Sequence, residues 1–236
     1  MSVQDEIIKE LVQKTYDELA HSPKPVQTSR VWKDPEGYRY LTSWSNSVLL
    51  QYLIRLFTNS LPKSEYRRKA QVDDAGRSVV RNQEEGFKRS TTSEYLEFIG
   101  FSQGSLEEVK GDARELTEDG FLPSKPNTSL LTIGLDLKVL NTTLKEVKGF
   151  YRKLEECKGK NSSKETVFLY QPLTILYPPL AKVQAQDLTY EIFLELINKT
   201  DYLLRKLVES LEKKLASERK GYQIEQARLK DKFRDR

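Results

Sequence analysis

The adjacent carboxylates Asp73-Asp74, Glu84-Glu85 and Glu107-Glu108 are the first candidates for acid–base or metal chemistry in this chain. A shared proton or a divalent cation needs both groups of a pair aimed at one centre. Neighbours on a helix point about 100° apart, so none of these pairs forms a dyad or an ion clamp alone. All three are expected to be solvated or ion-paired surface. His21 is the single histidine and Cys157 the single cysteine. One subunit therefore offers no common Cys/His zinc set, no internal disulfide, and no Glu-x-x-His motif for a di-iron bundle. His21 precedes a Ser-Pro-Lys-Pro break and reads as a solvated helix-end residue. Ser90, Ser93 and Ser105 have no histidine base within reach of the pattern, and a serine–lysine pair stays open. Gly100 and Gly104 follow no strand and precede no Gly-Lys-Ser/Thr, so they form no phosphate loop. No catalytic residue, metal ligand or cofactor is assigned. A nuclease would need carboxylates gathered from several helices around Mg²⁺, which a sequence does not reveal.

Cations are the stronger signal. They cluster at Arg67-Arg68-Lys69, at Arg77, Arg81, Lys88 and Arg89, and in the tail from Glu218. On a helix, Arg77, Arg81 and Lys88 fall on one side, opposite an apolar side. Asp74 and Glu84 share it, so it is mixed. Such a face could hold phosphates in a salt-dependent way, or be ordinary solvated surface. Tyr66, Phe87 and Tyr222 are the few interleaved aromatics that could stack bases. The net charge of +4, from 39 basic and 35 acidic residues, permits nucleic-acid binding without requiring it.

The elements that would position these residues are helical. With 37% hydrophobic and 31% charged residues, amphipathic helices are favoured over sandwich strands. Residues 4–20 carry an apolar face ended by Pro23 and Pro25. A second pattern runs from Ser43 to Ser60, with Val48, Leu49, Tyr52, Leu53, Leu56 and Phe57 as its stripe and Pro62 beyond it. A third covers Glu65–Glu85, with Val72, Ala75, Gly76, Val79, Val80 and Gln83 on the core side, before a break at residues 85–90. The next opens with a capping box, Thr91 to Glu94. Tyr95, Ile99, Ser102, Leu106, Val109, Ala113 and Leu116 then step 4-3-4-3-4-3, a bundle seam. Gly100, Gly104 and Gly111 lie off that seam. They suggest either close approach of another backbone, within or between subunits, or plain tolerance.

Leu135–Cys157 fits a further helix, with Leu140, Leu144, Val147, Tyr151 and Leu154 on one face. Thr166–Tyr177 is β-prone and is expected as a short hairpin or an apolar strap. The last helix is expected from Leu188 to a break or bend at Gly221, seamed by Phe193, Ile197, Thr200, Leu204, Leu207, Leu211 and Leu215. Apolar stretches of about ten residues, interrupted by Gln51 and Arg55, are too short to span a bilayer. The N-terminal residues do not read as a signal peptide, so a reducing cytoplasm is the expected location.

The stretch from Leu61 to Val109, with Asn82, Glu85, Gly86, Ser93, Gly104, Ser105, Leu106 and Glu108, resembles the four-helix bundle proteins encoded in intervening sequences of bacterial 23S rRNA genes. That family includes the accessory variability protein of diversity-generating retroelements. Tyr38–Leu41 and Asn198–Leu204 resemble its branch of four helix bundle suffix proteins. The resemblance implies an up-and-down bundle that assembles into a ring, often a pentamer, and binds nucleic acid or a reverse transcriptase. The N-terminal helix and residues 121–187 depart from the minimal bundle and add surface to it.

The expected fold is all-α: an up-and-down four-helix bundle with an extra N-terminal helix and an elaborated connection before the last helix. The expected divisions are residues 1–37 for the N-terminal helix and linker, 38–217 for the bundle with an insertion at 121–187, and 218–236 for a basic tail. The expected function is a non-enzymatic, self-assembling accessory protein, binding RNA or DNA, or a nucleic-acid enzyme such as a reverse transcriptase, with Arg77, Arg81, Lys88 and Arg89 on phosphate. A protein-interaction scaffold without nucleic acid is the alternative.

Overall fold

The structure is a computed structural model describing residues 30, 34, 36–146 and 173–234. The chain divides into two units. Arg30–Glu212 carries the bundle, and the end of the last helix, from Lys213, falls to the other. Four long helices are described: α1 (Thr42–Thr58), α2 (Tyr66–Lys88), α3 (Thr92–Glu118) and α4 (Tyr190–Arg234). Among the described residues there is no strand, and no helix is long and apolar enough to cross a membrane. The protein is all-α, as its pattern predicts. The N-terminal helix expected at residues 4–20, His21 and Cys157 lie outside the described residues.

α2 and α3 pack extensively against each other. The contact runs from Gly86 against Tyr95 and Phe98 at one end to Arg68 and Asp119 at the other, so the two helices lie antiparallel. All seven seam positions of α3 are buried, from Tyr95 to Leu116. The serine in that seam is satisfied: Ser102 Oγ donates to the Val79 carbonyl at 2.8 Å. Thr91 and Glu94 form the capping box, with Glu94 N donating to Thr91 Oγ1 and Thr91 N to the Glu94 carboxylate, each at 3.2 Å. Gly120, at φ +78°, ends α3 in the left-handed conformation, and the amides of Phe121 and Leu122 both return to the Leu116 carbonyl.

The core side of α2 is as expected, but its end is not. The helix continues through Gly86 and stops only at extended Arg89. Gly86 is buried there, where a larger residue would strike α3. Arg30 closes the end, its guanidinium donating to the carbonyls of Gly86, Phe87 and Arg89 at 3.2–3.4 Å.

α1 is turned relative to its expected stripe. Leu50 and Ile54 are buried with Leu49, Leu53 and Phe57, while Val48, Tyr52 and Leu56 are half-buried. The early turns of α1 bury small polar residues instead. Ser47 Oγ donates to Ser43 O at 2.8 Å and accepts from Gln83 Nε2 at 2.7 Å. Asn46 accepts from Asn141 at 3.3 Å.

The connection after α3 is described in pieces. Residues 137–146 are helical, with Leu140 and Leu144 buried as expected; Val147, Tyr151 and Leu154 lie outside the described residues. Leu173–Leu176 is helical and Pro178–Lys182 a 3₁₀ turn, so this part of the β-prone stretch is no hairpin. Pro178 and Pro179 have no amide hydrogen for a ladder. Polar ties hold the connection to the start of α4: Leu130 N donates to Glu195 at 2.7 Å, and the hydroxyls of Thr128 and Thr189 share a hydrogen bond of 2.7 Å. Phe57 of α1 meets Phe193 of α4 edge-on at 6.0 Å. α4 passes through Gly221 without a break. One glycine costs a helix about 1 kcal/mol, which a long helix absorbs.

Candidate nucleic-acid interface

α1 and α2 run antiparallel, so the end of α1 lies beside the early turns of α2. Thr58 Oγ1 donates to Asp73 at 2.7 Å, and Lys69 donates to the same carboxylate at 3.0 Å and to Asn59 at 2.8 Å. Lys69 and Asp73 therefore neutralise each other while stitching the helices together. Next to them opens a groove of about 450 Å³, lined by Arg55, Tyr66, Lys69, Asp73, Asp74 and Arg77. Arg55, Asp74 and Arg77 are exposed, and so is Tyr66. Arg67 Nε donates to the Tyr66 hydroxyl at 3.1 Å.

The four cations expected on phosphate have different surroundings within the subunit. Arg77 belongs to the groove. Arg81 pairs with Glu84 at 2.8 Å, and the other oxygen of Glu84 accepts from Trp44 Nε1 at 3.1 Å. Lys88 lies 5.6 Å from the centre of the Tyr38 ring. Arg89 lies 4.2 Å over the Phe98 ring and 4.0 Å from Glu85. Of these, Arg81 and Arg89 each face a carboxylate. Arg55 is absent from the sequence-based set, although the sequence carries a signal for it: it is the only charged side chain in α1.

The carboxylate pairs diverge as helical geometry requires. Asp73 faces Thr58 while Asp74 faces the groove, and Glu84 faces Trp44 while Glu85 faces Arg89. Among the described residues no group of three or more His, Cys, Asp or Glu is placed to hold a metal ion. The perturbed groups are structural. Burial pushes the Tyr95 phenol up to about 12, against the opposing pull of Arg30, whose guanidinium lies 4.4 Å over the ring. The hydrogen bond from Thr91 holds the Glu94 carboxyl below its ordinary value. Asp112, buried against α2, is raised chiefly by burial and next by Glu115. One of its oxygens accepts from Gln71 at 2.8 Å and the other has no hydrogen-bond partner.

The glycines off the α3 seam are open. A Cβ on Gly100, Gly104 or Gly111 would meet nothing within 4 Å, so no described backbone of this subunit approaches them. Phe101, on the same helix, is 51% exposed.

Fold and site together define an all-α bundle protein whose polar surface, rather than its core, carries the candidate interface. Residues 39–134 match the family model described as 23S rRNA-intervening sequence protein. That segment contains α1, α2 and α3 and both sides of the groove, and the match bears out the family resemblance drawn from the middle of the sequence. The match is to the family as a whole and does not test the suffix branch. No curated protein and no solved structure matches the chain.

Proposed function

We propose that this protein is a non-enzymatic accessory protein that binds RNA through phosphate contacts at the α1–α2 end of its bundle. The observation that carries the reading is the pair Arg55 and Arg77. They stand on two helices at one groove, within the segment that matches the 23S rRNA-intervening sequence protein model, with the neighbouring Lys69 already engaged by Asp73. Such contacts position nucleic acid without reading sequence. A reducing cytoplasm and service to a nucleic-acid enzyme such as a reverse transcriptase fit this role. Self-assembly, as a pentamer by family resemblance, would repeat the groove around a ring.

A protein-interaction scaffold is the second reading, favoured by exposed Phe101 beside the open Gly100 and Gly104. Fluorescence anisotropy of labelled RNA and DNA, at low and high salt and with Mg²⁺ present, separates the two. RNA binding that weakens with salt and leaves the RNA intact supports the first. Absence of binding at low salt leaves the scaffold. Light scattering tests assembly: a mass near the 27.4 kDa monomer removes the ring.

A further inference from the structure

The groove holds more than cations. Its wall includes an aromatic ring and an acid, and the acid is hard to explain as part of a phosphate cradle. Tyr66, in the first turn of α2, is 63% exposed. Its hydroxyl is held by Arg67, whose guanidinium lies 5.8 Å from the ring centre. A ring in this setting is a platform on which a base can stack, and every base has a face to offer. A base inside a duplex is already stacked on its neighbours. The ring is therefore usable only by an unpaired nucleotide.

Size and charge point the same way. A groove of about 450 Å³ has the dimensions of a small-molecule unit such as one nucleotide. Lys69 and Asp73 cancel each other, so Arg55, Arg77 and Asp74 are left to face a ligand. Two guanidinium groups match one phosphate. A lone carboxylate beside them would repel it unless the ligand also brings hydrogen-bond donors. Amino groups on a base edge are such donors, and carboxylates accept from them.

We propose that the groove between Arg55 and Arg77 seats one unpaired nucleotide of a single-stranded RNA, its phosphate on the two guanidinium groups, its base on Tyr66, and the amino group of that base on Asp74. This rests on the RNA reading above and adds its substrate class. Cytosine and adenine are favoured over uracil, which has no amino group.

The test is anisotropy with short labelled oligo(C), oligo(U) and a perfect RNA duplex at low salt, on the full chain and four variants. All four changes are at exposed residues, and circular dichroism checks that each variant keeps its helices. The parent is expected to bind oligo(C) more tightly than oligo(U) or duplex. Tyr66→Ala should weaken oligo(C) binding about five-fold or more, the loss of one base–aromatic stack. Tyr66→Phe should retain it, and Arg55→Ala should weaken oligo(C) and oligo(U) alike. Asp74→Ala should erase the preference for oligo(C). If the parent binds RNA but Tyr66→Ala binds equally well, or if duplex binds as tightly as single strand, the groove is not the seat and RNA contacts another face. If the parent binds no RNA, both this assignment and the RNA reading fall.

Discussion

A Cβ built on Gly86 would stand 2.6 Å from the Cβ of Phe98 and 2.9 Å from the Tyr95 ring. Helices α2 and α3 thus meet at the root of a side chain just before the turn that joins them, and Phe98 cannot swing away at its Cβ. Gly86→Ala is expected to cost about 1–3 kcal/mol, the usual penalty of overpacking. Gly104, with open space around it, makes the contrast. Gly104→Ala is expected to stabilise the monomer by about 0.5–1 kcal/mol, since alanine loses less backbone freedom in a helix. Urea unfolding of both variants checks the pair. A neutral Gly86→Ala would mean that the helices stand farther apart.

Leu106 lies mid-seam in α3 and is 1% exposed. Leu106→Ala is expected to cost about 2–5 kcal/mol. A loss below about 1 kcal/mol in denaturant unfolding would place another face of α3 inward.

Asp112 should make stability fall as pH rises through the carboxylate range. Its folded pKa is raised above the ordinary 3.8 by burial and by Glu115. The folded state therefore holds the proton to higher pH than the unfolded state does. The protonated form also gives its second oxygen, which lacks a partner, a hydroxyl to donate. Stability is favoured below the unfolded pKa and is lost as pH climbs through the folded one. Asp112→Asn keeps the acceptor for Gln71 and removes the charge. Relative to the parent, it should gain stability on going from acid to neutral pH, by about 1 kcal/mol, the lower end of the cost of an unsatisfied buried group. Equal pH profiles for the two proteins would show that Asp112 stays charged without penalty.

Much of the fold is legible in the residues because some patterns have one reading. The 4-3 spacing from Tyr95 to Leu116 and the Thr91–Glu94 box fix both the buried face and the start of α3. In α1 the apolar residues nearly circle the helix, so the stripe through Val48, Tyr52 and Leu56 competes with the one through Leu50 and Ile54. The deciding contacts are tertiary: Ser47 is buried because Gln83 of α2 reaches it, and Ile54 because Gly76 leaves room for it. Gly86 and Gly221 read as breaks because glycine weakens a helix, yet packing or length outweighs that cost.

The site is legible in the sequence only as charge. Arg77, Arg81, Lys88 and Arg89 share a helix or its end, but their surroundings differ. Glu84, four residues before Lys88 and three after Arg81, is oriented by Trp44 of another helix and takes up Arg81. Arg55 joins Arg77 only because α1 and α2 run antiparallel, and no spacing in the sequence reports that.

The salt dependence of RNA binding tests the account most directly. For single strands, log affinity falls against log salt with a slope of about 0.7 for each phosphate neutralised. Arg55→Ala/Arg77→Ala should lower the parent's slope by about 0.7, because the two arginines together hold one phosphate. Arg81→Ala should leave the slope unchanged, because Arg81 is already paired with Glu84. A parent that binds single-stranded RNA with the same slope after both Arg55 and Arg77 are removed would contradict the account.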